Sequence, residues 1–409
     1  MTRTPQHKWA FAARFRRHAF GWRSQPAIQR VKEAVAEIKA ASRQDRILAA
    51  EGAVVLLEKL SPALERVDSS SGAIGTAVNN AIDALVKVIA GAPVDNRMRG
   101  SWLDRLWQAV EEDGIPYLEL LPEQWGSLCG TPDLAGHWAD ELIGPLRLAW
   151  AEDRKAGGGY FKGTAACLSA LFAAGRFAEI LVLLDLAPHK FWHYRQWGVR
   201  ALSAMARNDE ALRYAEESRG LNEPDWAISA ACEQVLLDSG RINEAYSRYA
   251  TSANRKTTYL ATFRAIARKY PHKEMRTILT DLVNASPGNE GKWFAAAKSA
   301  GLYREAIELA NLTPCDPKTL TRAAEEKKSS EPLFAVETGM AALHWLAAGY
   351  GYEITGLDVH KACRCTMEAA RFAGCERETR ERIRTLVADN PSTNPLIKKI
   401  LDRETTNYR

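Results

Sequence analysis

Catalytic signatures are missing from this chain of 409 residues. Its eight histidines include no His-Glu-x-x-His, and there is no Gly-x-Ser-x-Gly, no Walker-type loop and no Gly-x-Gly-x-x-Gly following a strand. An enzyme is therefore not expected, and neither is a cofactor or a resident metal. Alternating apolar and polar residues, the mark of a half-buried strand, never persist for a useful length, which excludes a β architecture. The seven cysteines are odd in number and scattered, at 129, 167, 232, 315, 363, 365 and 375. That usage argues against a disulfide framework and for reduced thiols in a cytoplasm. No apolar run approaches the roughly 18–20 residues of a membrane helix, and no secretory leader is expected. Acidic residues are absent from the first 32 positions, which carry eight Lys or Arg; the whole chain sums to +5, so the rest sums to −3.

The first 25 residues interleave Trp9, Phe11, Phe15, Phe20 and Trp22 with bases that include Arg14, Arg16, Arg17 and Arg23. Three readings compete there. The aromatics can dock a first helix on the fold while the arginines stay solvated. A basic aromatic arm can instead contact polyanion, gripping phosphates and stacking on bases. An organelle transit segment has the same composition. From Pro26 onward the periodicity is helical: Ile28, Val31, Val35 and Ile38 form one stripe, and Asp45 is placed to cap the next helix. The charged and glycine-rich run Glu152–Gly159 is the best boundary between an amino-terminal helical layer and the middle of the chain.

The middle of the chain is repetitive. Gly301-Leu302-Tyr303-Arg304-Glu305-Ala306-Ile307 has weaker copies at Gly240–Tyr246 and Gly175–Ile180, a copy without glycine at Ala206–Leu212, and a degenerate one at Tyr270–Met275. The residues after the glutamate positions, Ile180, Ala211, Ala245, Met275 and Ala306, lie 31, 34, 30 and 31 residues apart. Such a period marks stacked helical hairpins. Where glycine is present it permits a left-handed turn, and the glutamate suits the positive start of the second helix.

The run resembles the tetratricopeptide repeat, whose turn reads Gly-x-Tyr-x-Glu-Ala, over roughly residues 160–315. The closing proline is displaced and the usual Trp-x-x-Leu-Gly is absent, so the likeness is to a divergent member or to a more general α-solenoid. Phe191–Trp197 is also similar to a bacterial helical-repeat family that brings no function with it. The resemblance implies a right-handed α-α superhelix whose first helices line a concave groove. By spacing to each turn, the groove positions are Lys162 and Ser169, then His193, Gln196 and Arg200, then Gln234, then Thr257, Arg264 and Arg268, and finally Lys298. Five of these ten are Lys or Arg and none is acidic, so the groove is expected to attract a polyanion or an acidic peptide.

Within Phe191–Trp197, a stripe of Phe191, Tyr194 and Trp197 is expected in the core, leaving Trp192 and His193 to face a ligand. His360, Cys363, Cys365 and Cys375 invite a zinc reading, but Cys365 points away from the shared face, and small apolar thiols in a helix pair are the better account. The expected organisation is a basic aromatic segment (1–25), a helical layer (26–155), tetratricopeptide-like repeats (156–315) and capping helices (316–409). The expected function is an all-α cytoplasmic scaffold for protein–protein interaction, holding an acidic peptide or protein in its basic groove and using no membrane. Nucleic-acid binding through residues 1–25 and the groove is the alternative.

Overall fold

The computed structural model describes residues 7–151, 159–220, 224–389 and 395–407, and among them the protein is all-α, with 21 α-helices and no strand. Of the expected boundary run Glu152–Gly159, residues 152–158 lie outside the described residues. Two compact units, Met1–Ser239 and Gly240–Arg409, divide the chain inside the expected repeat array rather than at its ends.

The first unit begins with α1 (Ser24–Ala41), α2 (Arg46–Leu64), α3 (Ala73–Ala90) and α4 (Asn96–Glu111). Helix α2 is apolar all round and packs against α1, α3 and α4, so it is the central element of this layer. Asp45 caps it as expected, its Oδ1 accepting the Ile47 and Leu48 amides at 2.9 Å. Helix α3 corrects the expectation of no membrane-length segment, because its 18 residues are long and apolar enough to span one. It buries Ile74, Val78, Ile82, Leu85 and Ile89, while Asp83 and Lys87 face water on the other side.

The basic aromatic segment is docked on this layer. Trp9, Phe11 and Phe15 are buried in the core, and Phe20 packs against it. Gly52 of α2 makes room for Trp9: a Cβ there would lie 2.3 Å from the indole Cζ2. Glu37 of α1 accepts the Ala10 and Phe11 amides at 2.7 and 3.1 Å, satisfying backbone that no helix pairs.

Beyond α4 come α5 (Trp125–Cys129), α6 (Pro132–Ala151), α7 (Thr164–Ala173), α8 (Phe177–Leu186), α9 (Trp192–Ala204), α10 (Asn208–Glu216) and α11 (Asp225–Asp238). Helix α8 packs on α7 and α9, and α10 on α9 and α11; α7 touches α9, and α9 touches α11. That pattern is a stack of helical hairpins with first helices side by side. Trp107, Trp125 and Trp138 form an aromatic cluster beneath it, with ring centroids 5.0–5.9 Å apart. Buried Arg99 ties the ends of α3 and α5 together by donating to the carbonyls of Ile89, Ala92 and Leu128 at 2.7–3.2 Å.

The repeated turns behave as their residues dictate. Gly175, Gly240 and Gly301 have φ of 73°, 75° and 74°, and Ala206 occupies the same left-handed conformation at 59° without being glycine. Glu179, Glu210, Glu244 and Glu305 each sit in the first turn of the helix that follows. Three of them are braced by the arginine three residues earlier: Arg176, Arg207 and Arg241. Glu305 is held instead by Arg276 at 2.6 Å.

The second unit contains α12 (Ile242–Ala253), α13 (Tyr259–Lys269), α14 (Met275–Asn284), α15 (Phe294–Ser299), α16 (Tyr303–Leu312), α17 (Pro317–Lys327), α18 (Pro332–Ala347), α19 (Gly356–Ala373), α20 (Glu376–Asp389) and α21 (Pro395–Asn407). The degenerate repeat is corrected here. Met275 is exposed, and the fourth residue of α14, which in α8, α10, α12 and α16 is the fully buried contact, is Ile278. The Tyr270–Glu274 connection is longer than the glycine turns, so the buried position falls three residues later. Helices α17, α18 and α19 pack most closely, with twelve of the sixteen α18 residues buried. Gly339 of α18 allows that approach, since a Cβ would meet Thr366 Oγ1 at 2.2 Å.

Candidate functional site

In the first unit, α9 carries His193, Gln196 and Arg200 at helical spacing, so they follow one another along one face. His193 is exposed, with its ring parallel to that of Phe191 at 5.5 Å and 3.9 Å from that of Tyr194. Gln196 donates to the His193 carbonyl at 3.0 Å. Arg200 lies 4.7 Å over the Trp197 ring. Its surface is open to water, yet protein crowds round the guanidinium, and this desolvation lowers its pKa against the opposing pull of Glu123. Among the described residues it makes no hydrogen bond or ion pair. The aromatic run differs from expectation: Trp192 is buried and Phe191 exposed, because α9 starts at Trp192 and turns that side chain inward.

Lys162 and Ser169 need correction as groove residues. Lys162 Nζ donates to the carbonyls of Glu111 and Asp113 at 3.2 and 3.0 Å, closing the carboxyl end of α4, where a cation suits the helix dipole. Ser169 is buried; its hydroxyl accepts the Gly126 amide and donates to the Glu123 carbonyl, both at 2.9 Å. Gln234 is exposed and donates to Asp238 at 2.6 Å, a contact along its own helix.

Lys162 and His193 line a cleft of about 770 Å³ together with Tyr160, Tyr194, Glu119 and Glu123. Its wall is therefore not of one sign. Asp113 also borders it, but that carboxylate is engaged by the Ser61 hydroxyl and by the Leu118 amide at 2.7 Å. Glu123 is half-buried, and among the described residues its carboxylate has no hydrogen-bond or ion-pair partner. Burial raises its pKa, Arg200 lowers it and Glu119 raises it again. Sequence reasoning missed Glu119, Glu123 and Tyr160. Glu119 and Glu123 precede the repeats, Tyr160 lies just before α7, and no spacing rule picks out any of the three.

In the second unit, Arg264 and Arg268 project into solvent one turn apart on α13. Arg264 donates to Ser299 of α15 at 3.0 Å, and Arg268 has no partner among the described residues. Exposed Thr257 lies just before the helix. From Asn254 to Arg276 the chain holds seven Lys or Arg and one acid, Glu274. Lys298 is corrected: it pairs with Glu326 of α17 at 2.6 Å, so its charge is already neutralised. The next helices continue that pattern through Lys361–Glu325 and Lys328–Glu368, at 2.7 and 2.6 Å. Of the expected groove cations in this unit, Arg264 and Arg268 of α13 are therefore the two with no ion pair among the described residues.

The amino-terminal arginines divide. Arg14 pairs with Glu33 at 3.2 Å and Arg17 with Glu65 at 3.8 Å, while Arg16 and Arg23 are exposed. In the carboxy-terminal helices His360 reaches Glu404 at 3.1 Å, and Cys363 and Cys365 are buried in packing contacts. No group of three His, Cys, Asp or Glu among the described residues is placed to hold a metal ion. No protein-family model matches the chain, and no curated protein matches it.

Proposed function

We propose that the chain is a non-enzymatic, tetratricopeptide-like binding scaffold of the cytoplasm that takes an acidic peptide or protein segment on the α13 face of its second unit. The observation that carries this is Arg268, exposed and without a partner among the described residues, one turn from Arg264 in a stretch with a single acid. Like charges at that spacing repel one another by a few tenths of a kcal/mol, and a partner's carboxylates relieve the repulsion while accepting paired guanidinium hydrogen bonds. The cysteines, all free thiols, agree with a reducing compartment.

The test is fluorescence anisotropy with a labelled oligoglutamate peptide. Arg264→Glu with Arg268→Glu should weaken binding by more than about tenfold, some 1.4 kcal/mol, with unchanged helical content. Equal affinity in the double variant would reject the assignment. The nucleic-acid reading has less support, because Trp9, Phe11 and Phe15 lie in the core where no base can stack on them. Tight binding of single-stranded DNA with steep salt dependence would reinstate it.

A further inference from the structure

The cleft in the first unit has the opposite character to the α13 face. Its charged lining separates into groups that the fold already uses and groups that it leaves. Lys162 is held by two carbonyls, and Asp113 by a hydroxyl and an amide. Among the described residues Glu119 and Glu123 are left, and Tyr160, His193 and Tyr194 line the same cleft. Tyr160 is 79% exposed, far more than its size favours, and stands at the rim of the cleft. Tyr194 is backed by Trp150 at 5.8 Å, so the inner wall is a supported aromatic surface. Half-buried Glu123, with no hydrogen bond or ion pair among the described residues, bears a desolvation cost that the charge of Arg200 offsets only in part, and a cation supplied from outside reduces it further. Aromatic faces add attraction for the same charge.

We infer that this cleft receives an organic cation, the lysine or arginine side chain of a partner peptide, between the Tyr160, His193 and Tyr194 rings and the Glu119 and Glu123 carboxylates. The positive charge of Arg200 offsets part of that of Glu123, and the rings give the cleft apolar surface, so it favours a cation with apolar substance over a small inorganic ion. This site stands in a different unit from the acidic-partner surface and does not rest on it.

The experiment is anisotropy with a labelled tetra-arginine peptide at low salt. The wild-type protein should bind saturably, and Glu123→Gln should weaken binding by about tenfold or more. Tyr160→Ala should weaken it by a smaller factor, and Glu141→Gln, an exposed acid outside the cleft, should leave it unchanged. Binding should also fall as pH drops through a range above that of an ordinary carboxylate, because Glu123 must be ionised and burial raises its pKa. If Glu123→Gln does not fold, Glu119→Gln and Tyr160→Ala, both at exposed positions, carry the same test. Equal affinity in these variants and the wild type, or no saturable binding by the wild type, overturns the inference. The Arg264→Glu, Arg268→Glu variant should still bind tetra-arginine, which separates failure of one site from failure of the other.

Discussion

Replacing Ala206 by glycine should stabilise this protein. Ala206 follows α9 with φ of 59°, in the turn where the other well-formed copies have glycine. The Arg207 amide donates to the Leu202 carbonyl at 2.9 Å, as the Arg176 amide does to Leu171 and the Leu302 amide to Ala297, so these three turns share one helix-ending motif. An L-residue in the left-handed region costs roughly 1–2 kcal/mol. Glycine removes that cost but gives the unfolded chain freedom worth about 0.4–1 kcal/mol. The difference is a gain of about 0.5–1 kcal/mol. Ala206 is exposed, so little packing is lost with its methyl group. The mirror substitution Gly301→Ala should lose a similar amount. A Cβ at Gly301 meets nothing within 4 Å, so the loss registers backbone strain alone. Urea unfolding followed by far-UV circular dichroism measures both. A lower midpoint for Ala206→Gly, or a higher one for Gly301→Ala, would refute the assignment of these turns.

Close packing separates two other glycines. Gly52→Ala should push Trp9 off α2, at about 1–3 kcal/mol, with a red-shifted tryptophan emission and faster proteolysis before residue 24. Gly126→Ala should cost more, because its Cβ would lie 2.4 Å from the Ser169 carbonyl oxygen, which is backbone and cannot swing away; thermal melting compares the two. Thiol titration should find Cys375 reacting first, since Cys129, Cys167, Cys315 and Cys363 are buried and their pKa values pushed up to about 12. Glu179 and Glu325, whose pKa values hydrogen bonds from Arg176 and Lys361 lower, stabilise the fold above the ordinary value of 4.5 and lose that contribution as pH falls. Glu123 has the opposite sign. Burial raises its pKa, so its favourable protonated form is lost as pH rises, and the advantage of Glu123→Gln over wild type should grow from acid to neutral pH. A difference that stays constant across urea midpoints in that range would contradict this.

The amino-acid sequence by itself determined the elements and the turns between them. The glycines of the repeats, the glutamates in first turns and the Asp45 cap act within a few residues of themselves, and helical periodicity reports such neighbours directly. Helix α9 shows where that reach ends. Spacing grouped Phe191, Tyr194 and Trp197, but which side of a helix is buried depends on the helices beside it, and those turned Trp192 inward and left Phe191 outside. Lys298 looked free until Glu326, 28 residues on, was placed opposite it by the packing of α15 and α17. Tertiary structure alone likewise brought Glu123 beside Arg200 and laid Trp9 over Gly52. Charges and rings carry no periodicity that names their partners across a fold, so the sign of each surface was settled only when the hairpins stacked.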